Sequence, residues 1–488
     1  MNLKTLLSGL DNLKAKGDLD IDITSVEYDS RKVKEGSLFV AIKGFNVDGH
    51  EYIKSAVDNG AKAILIEEGA KIKKTDIKDD TTVILSPDNR IALAQISKNF
   101  YKNPASKFKL IGITGTKGKT TTSFMIKQIL EQAGHKVGLI GTIANYINDE
   151  KIGDNNSRTT PESLELNKLF SYMLDQKVDT VVMEVSSQSL KYKRVYGLEF
   201  DIGIFTNFSE DHIGANEHPD MEDYFNSKLE LIKMSKECLI NSDDFHVRKI
   251  KTLFPDKNIK TYGIDNEANL LAKDVTVTNS GVDFRAKIGQ KNERIKVGIP
   301  GRFTVYNALA AIGVANIFSV DAENLKAALE NIAVPGRSEL VPNKKDLTIM
   351  IDYAHSPASL ESILKAVKGY TRGRVISVFG CGGDRDKTKR PIMGKISGEI
   401  AGFTIITTDN PRTENPEKIV KDIEEGIKQT KGQYTVIVDR TEAIKQAIKM
   451  ANKNDIIVLT GKGHETYQEI NGEKLPYDER KIIKQIIG

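Results

Sequence analysis

A short apolar run at residues 110–113 leads straight into Gly115-Thr116-Lys117-Gly118-Lys119-Thr120, and a helical pattern follows over 121–133 until Gly134 stops it. Strand, glycine-rich turn and helix in that order constrain this chain more than any other feature. The glycines let successive backbone N–H groups close round a phosphate, and the positive end of the following helix strengthens the field there. Lys119 brings a point charge to the outer phosphates, and Thr120 offers a hydroxyl to Mg²⁺. The string departs from GxxxxGK[ST]: Ile113 stands at the first glycine position, and glycines fall at 112, 115 and 118 instead. A variant phosphate-binding loop is therefore predicted, with Gly115, Thr116, Lys117, Gly118, Lys119, Thr120 and Thr121 round a nucleotide. The motif alone names no reaction.

The surrounding pattern is α/β. Apolar runs at 38–42, 63–66 and 83–85 alternate with helical stretches, the last of which opens at an Asp88 cap and ends before Asn103-Pro104. After the loop, 137–140, 181–185 and 203–206 read as buried strands that extend one sheet. Alternation over 275–297 predicts an antiparallel appendage. Beyond Val334-Pro335-Gly336, runs at 348–351, 375–379, 404–406, 435–438 and 456–459 alternate with helices, as in a Rossmann-like doubly wound sheet. Three domains are predicted, at 1–107, 108–335 and 336–488, a number that suits a chain of 488 residues.

Composition excludes more than it selects. A net charge of +4 over this length gives no electrostatic commitment to nucleic acid, and the lysines near 71–74 and 344–345 read as solvated loops. No apolar run approaches a bilayer-spanning length, so no membrane partner and a cytoplasmic location are expected. Cys238 and Cys381 lack any CxxC spacing and read as buried small hydrophobes.

Three residues outside the loop carry possible chemistry. Glu184 falls at the carboxyl end of a strand, where ligands gather in open α/β sheets, so it is either a Mg²⁺ ligand or a cap for the next helix. His212, in Ser209-Glu210-Asp211-His212, has a similar placement and is as often a structural hydrogen bonder. Lys228 sits on the apolar stripe of a helix predicted over 221–235, beside Met221, Tyr224, Phe225, Leu231 and Ile232. Burial there would leave a neutral amine able to act as a base or to form a carbamate with CO₂; the alternative is a lysine snorkelling from the stripe's edge.

Taken together, the 115–121 loop, Met183-Glu184-Val185-Ser186-Ser187, Thr206-Asn207, Asp211-His212, residues 224–229 and Tyr306-Asn307-Ala308-Leu309-Ala310-Ala311 resemble the Mur ligase family. The motifs Gly336-Arg337-Ser338-Glu339, Asp352-Tyr353-Ala354-His355, Gly382-Gly383-Asp384-Arg385, Asp409-Asn410-Pro411-Arg412 and Gly461-Lys462-Gly463-His464-Glu465 narrow the likeness to the branch that adds the third residue of the peptide. The resemblance implies an ATP-dependent amide ligase of peptidoglycan synthesis. It passes the γ-phosphate of ATP to a carboxylate of UDP-MurNAc-L-Ala-D-Glu, and an amino group then displaces the phosphate.

In site terms it implies a catalytic set of Lys119, His212 and carbamylated Lys228, with Thr120, Glu184, His212 and Lys228 round Mg²⁺. Asn307, Arg337 and Asp352 would hold the nucleotide, and domain closure would complete the site. Ser30, Phe45, Asn46, Val47, Thr159, Thr160, Ser186, Tyr192 and Arg194 would take the UDP-sugar dipeptide. Tyr192 replaces a common glutamine, Phe45-Asn46 a common His-Gln pair, and Thr304 a frequent asparagine. A monomer is expected.

The resemblance leaves meso-diaminopimelate or L-lysine as the added amino acid. These differ by a distal carboxylate, for which arginine is the natural reader. Arg385 and Arg412, with Asp409, Asn410, Pro411, Gly461 and Glu465, are the expected amino-acid residues, and they favour meso-diaminopimelate. The competing reading of Arg412 is a local pair with Glu414. L-lysine and meso-lanthionine remain alternative substrates. A folylpolyglutamate synthase-like ligase and a nucleotide-driven transport or regulatory ATPase are the rival activities.

Overall fold

The computed structural model describes residues 1–488 except 45, 46, 72, 154–157, 215, 216 and 346. Two compact units, Met1–Asn269 and Leu270–Gly488, are described in turn.

The first unit holds two sheets. In the amino-terminal one the strands run in the order Lys14–Lys16, Thr82–Ser86, Ala61–Glu67, Ser37–Val40, Val26–Glu27, parallel apart from the first pairing. Helix Asn89–Phe100 opens as predicted, with the Asp88 carboxylate accepting from the N–H groups of Arg90 and Ile91. The second sheet runs Asn258–Gly263, Ser235–Asn241, Phe200–Phe205, Lys109–Thr114, Thr180–Glu184, Val137–Ile140, all parallel, and is extended antiparallel by Asn145–Ile147 and Glu150–Ile152. Its central strands are buried on both faces, which is why they read as unbroken apolar runs. Helix Lys119–Gln132 covers the sheet with Met125, Ile126, Ile129 and Leu130, and Gly134 ends it at φ +92°.

In the second unit, Lys273–Thr278, Gly281–Ile288 and Lys291–Val297 form the antiparallel appendage. A six-stranded sheet runs Glu339–Leu340, Thr348–Asp352, Ile456–Thr460, Val375–Phe379, Phe403–Ile406, Tyr434–Val436, antiparallel only at its first pairing. Ile349, Ile351, Ile376, Val378, Ile457 and Leu459 fill one face of it and Met350, Val375, Phe379 and Val458 the other, with helices on both sides. This is the expected doubly wound arrangement. A hairpin of Tyr467–Ile470 and Glu473–Pro476, which sequence reading missed, follows its last strand. Both cysteines are buried and free. Among the described residues no helix is long and apolar enough to cross a membrane.

Candidate active site

The strand Lys109–Thr114 delivers its chain end into the loop at the carboxyl edge of the sheet. Gly115 adopts φ +141°, and a side chain there would strike the Thr206 hydroxyl, so only glycine closes this turn. Asn207 moulds the loop from the adjacent strand end: its carbonyl accepts from Thr116 N–H at 2.9 Å and its Oδ1 from Lys117 N–H at 2.9 Å. Thr206 Oγ1 and Asn207 Nδ2 donate to the Lys117 carbonyl at 2.7 and 2.8 Å. Gly118, left-handed at φ +86°, starts helix Lys119–Gln132 without a side-chain cap, and a helix start of this kind at the end of a glycine-rich turn suits a phosphate. Thr120 and Thr121 are buried in the first turn.

Two lysines meet on one oxygen. Lys119 Nζ donates to the Gly115 carbonyl at 2.9 Å and to that of Thr116 at 3.2 Å, while Lys228 Nζ donates to the same Gly115 carbonyl at 2.9 Å. Lys228 is 1% exposed on helix Met221–Lys233, whose buried stripe includes Tyr224, Lys228 and Leu231. The snorkelling alternative is thereby excluded. Its amine lies 4.5 Å from the centre of the Tyr224 ring, and Tyr224 Oη is 3.3 Å from Thr116 Oγ1. Burial, reinforced by the Lys119 charge, holds the Lys228 pKa well below the ordinary lysine value.

Glu184 ends strand Thr180–Glu184 and is 1% exposed. Its Oε2 accepts from Thr120 Oγ1 at 3.1 Å and Thr142 Oγ1 at 3.0 Å, and its Oε1 from Thr142 N–H at 3.0 Å. It does not cap the next helix; Ser186 does, accepting from Ser189 N–H. Among the described residues no three His, Cys, Asp or Glu side chains gather as metal ligands. The Thr120–Glu184 pair of hard oxygen donors nevertheless suits Mg²⁺, which takes one or two protein oxygens and completes its shell with water and phosphate. His212, left-handed at φ +55°, is held by Glu217 at 2.9 Å, and its ring centre lies 6.1 Å from that of Tyr224.

The residues expected to take the UDP-sugar dipeptide divide. Thr159 Oγ1 is 3.1 Å from Thr142 Oγ1, and Thr160 Oγ1 donates to the Glu184 carbonyl at 2.9 Å and accepts from Ser186 N–H at 3.1 Å. Thr160 thus bonds Glu184 directly, and Thr159 is linked to it through Thr142. Arg194, 6% exposed, donates to the Thr160 carbonyl at 3.3 Å and lies 3.4 Å from Glu162. Tyr192 carries the Arg90 guanidinium 5.0 Å above its ring. Ser30 is buried in the amino-terminal sheet region, where its carbonyl accepts from Asn59 Nδ2, and Val47 is exposed. Phe45 and Asn46 lie outside the described residues.

Sequence reading missed a buried relay beside this region. His218, 0% exposed, is 2.6 Å from Asp223 Oδ2 through Nδ1 and 2.9 Å from Ser187 Oγ through Nε2. Burial lowers its pKa, and although Asp223 opposes the shift, Lys191 and Lys228 add to it. Because the folded value lies below the unfolded 6.5, protons favour the unfolded chain, and stability falls as pH drops below about 6.5. Thermal melts at pH 7.5 and 5.5 check this: the decrease should be smaller in His218→Gln, by roughly 2–4 °C for each kcal/mol involved.

The second unit carries the remaining candidates. Asn307 is buried on helix Arg302–Ile317. Asp352, at the end of strand Thr348–Asp352, accepts from the N–H groups of Ser338 and Ala354 at 2.8 and 2.9 Å; burial raises its pKa against the opposing Arg337 charge. The Arg337 guanidinium lies 4.8 Å from the Tyr353 ring centre. Gly461, at φ +109°, passes so close to Asp409 that any side chain would strike its carboxylate. Arg412, also left-handed at φ +52°, donates to the Gly383 carbonyl at 2.8 Å and pairs with Glu469 of the hairpin at 3.0 Å. The local pair with Glu414 is thereby corrected: Glu414 is taken by Arg390 and by Asp384 N–H. Asn410 Nδ2 donates to Glu465 Oε2 at 2.8 Å, Pro411 is buried, and Arg385 donates to the Asp384 carbonyl at 3.3 Å.

Residues 22–101 match the Mur ligase family catalytic domain, 113–315 the Mur ligase middle domain, and 336–463 the Mur ligase glutamate ligase domain. The chain is similar to the UDP-N-acetylmuramoyl-L-alanyl-D-glutamate--2,6-diaminopimelate ligases of Clostridium botulinum (47% identical over 490 residues, 100% of this chain and 99% of that protein) and Caldanaerobacter subterraneus (48% over 491 residues, 100% and 99%). A solved structure of a ligase with that name superimposes at a TM-score of 0.71 with 28% identity, covering 100% of this chain and 98% of the other. Likeness at this level over the whole length makes the chain a member of the Mur ligase family.

Proposed function

We propose that this protein is an ATP-dependent ligase that joins meso-2,6-diaminopimelate to the D-glutamyl carboxylate of UDP-MurNAc-L-Ala-D-Glu, within three domains at 1–107, 108–335 and 336–488. The observation that carries the reading is the acceptor cluster: Asn410 Nδ2 donates to Glu465, Asn410 Oδ1 accepts from Glu469 N–H, and the Glu469 carboxylate pairs with Arg412, so that a guanidinium, an amide and carboxylates are linked at one place. The distal end of meso-diaminopimelate bears a carboxylate beside an ammonium, and such a cluster matches both charges. The names of the full-length relatives agree with it.

The chemistry follows from the residues. A free carboxylate resists nucleophiles because its charge is delocalised and its oxygen is a poor leaving group. Phosphorylation by ATP gives an acyl phosphate and ADP; attack by the amine then forms the amide and expels phosphate. The loop N–H groups, the helix start and Lys119 offset charge while two anions approach each other. Thr120 and Glu184, with His212 and Lys228, would hold Mg²⁺, which when bound neutralises phosphate charge. The buried, weakly basic Lys228 amine is suited to take up CO₂ with loss of a proton, giving an anionic carbamate. We assign nucleotide contacts to Asn307, Arg337 and Asp352, and contacts with the UDP-linked dipeptide to Thr159, Thr160, Ser186 and Arg194.

ADP release measured with each substrate omitted in turn tests the assignment. Turnover should require both UDP-MurNAc-L-Ala-D-Glu and meso-diaminopimelate. Turnover without an acceptor amine, or preferred turnover with L-lysine, would contradict it.

A further inference from the structure

Lys462, which follows Gly461 at the end of strand Ile456–Thr460, has no exposed surface. Its Nζ donates to Asn410 Oδ1 at 2.9 Å and lies 3.4 Å from Glu465 Oε2 and 3.7 Å from Asp409 Oδ1. The rings of Tyr467 and Tyr477 flank it, with centres at 5.8 and 5.9 Å. Stability alone is a weak reason for such a lysine, since an ion pair buried in a protein can often be replaced by apolar side chains of similar volume without loss.

Its contacts suggest another reason. An asparagine amide can face either way, but Asn410 Oδ1 is fixed by two donors, Lys462 Nζ and Glu469 N–H at 3.0 Å. Asn410 Nδ2 is thereby turned to Glu465 Oε2 at 2.8 Å. Both of these contacts with Glu465 fall on Oε2, so Oε1 takes part in neither. Two carboxylates, Asp409 and Glu465, lie round this one ammonium, and the Arg440 guanidinium also acts on Asp409.

We propose that Lys462 is a positioning residue for the acceptor amino acid: it locks the Asn410 amide and one oxygen of Glu465, and leaves the other oxygen of Glu465 to receive an ammonium group of the substrate. The inference rests on the reading that residues 409–412 and 461–465 take the amino acid.

Steady-state kinetics of the full-length enzyme separate the two. Lys462→Met should raise KM for meso-diaminopimelate at least about tenfold while kcat and KM for ATP stay within about threefold. Lys462→Gln, which keeps a donor toward Asn410 without the charge, should fall between Met and wild type, and it decides the matter if the Met variant does not fold. Combined with Glu465→Gln, the Lys462→Met effect should be far from additive, because both act on one carboxylate. An unchanged amino-acid KM in folded Lys462 variants, while Glu465→Gln still raises it, overturns the role of Lys462 and spares the site. An unchanged KM in Glu465→Gln and Arg412→Ala as well overturns the site reading itself. A parallel loss of melting temperature and of all three substrate affinities would mark Lys462 as merely structural.

Discussion

Lys228→Ala is expected to lower kcat by about 10²- to 10³-fold, the range found when one preorganised charge is removed from a reacting centre. The reason lies in the position of the amine. Its Nζ sits 2.9 Å from the carbonyl of Gly115, the residue that begins the phosphate loop, and is shielded by Tyr224. A lysine placed there as a plain cation would be worth little, because burial and Lys119 both push its pKa down. On the proposed reading a carbamate inverts the logic: it would turn a disfavoured cation into an anion that, with Glu184, would help to hold Mg²⁺. Two measurements distinguish these states. A small carboxylate such as formate should restore part of the activity of Lys228→Ala, and removal of CO₂ should depress wild-type activity with no effect on the variant. Full activity in Lys228→Ala, or no rescue by any short carboxylate, would exclude the carbamate role.

What could be read from the sequence follows physical rules that act locally. Residues 137–140 and 375–379 were legible as strands because a central parallel strand is apolar on both faces, and the observed bounds are the same. Lys228 was legible as an anomaly because helical periodicity fixes its neighbours; its burial follows from the stripe. Strands Ser235–Asn241 and Asn258–Gly263 went unread, since Lys236, Glu237, Asn258 and Lys260 break their runs near the sheet edge. The hairpin Tyr467–Ile470 and Glu473–Pro476 has no buried residue in either strand and so leaves no alternation to detect. Its contribution to the site, through Glu469, was invisible for that reason. Ser187, His218 and Asp223 meet across 31 and 5 residues of chain, and no spacing rule signals such a contact. Arg412 shows the same limit: its ion-pair partner is Glu469, on the hairpin, not the sequence neighbour Glu414.

That partner shapes the second large expectation, which concerns substrate choice. Arg412→Ala should raise KM for meso-diaminopimelate by about 10²-fold or more, in line with the cost of truncating one partner of a hydrogen-bonded charge pair, and leave KM for ATP little changed. L-lysine has no distal carboxylate, so any turnover with it should change far less. The discrimination between the two amino acids would then collapse. Arg412→Lys should not rescue it, because an ammonium cannot reproduce a planar fork held at one edge by the Gly383 carbonyl and at another by Glu469. Arg385 serves as the control: among the described residues its guanidinium bonds the neighbouring Asp384 carbonyl at 3.3 Å, a weaker anchor than those of Arg412, so its loss should cost less. Competition assays with both amino acids present read the ratio of kcat/KM directly. Equal losses for meso-diaminopimelate and L-lysine in Arg412→Ala would mean that Arg412 supports the turn and does not read the carboxylate.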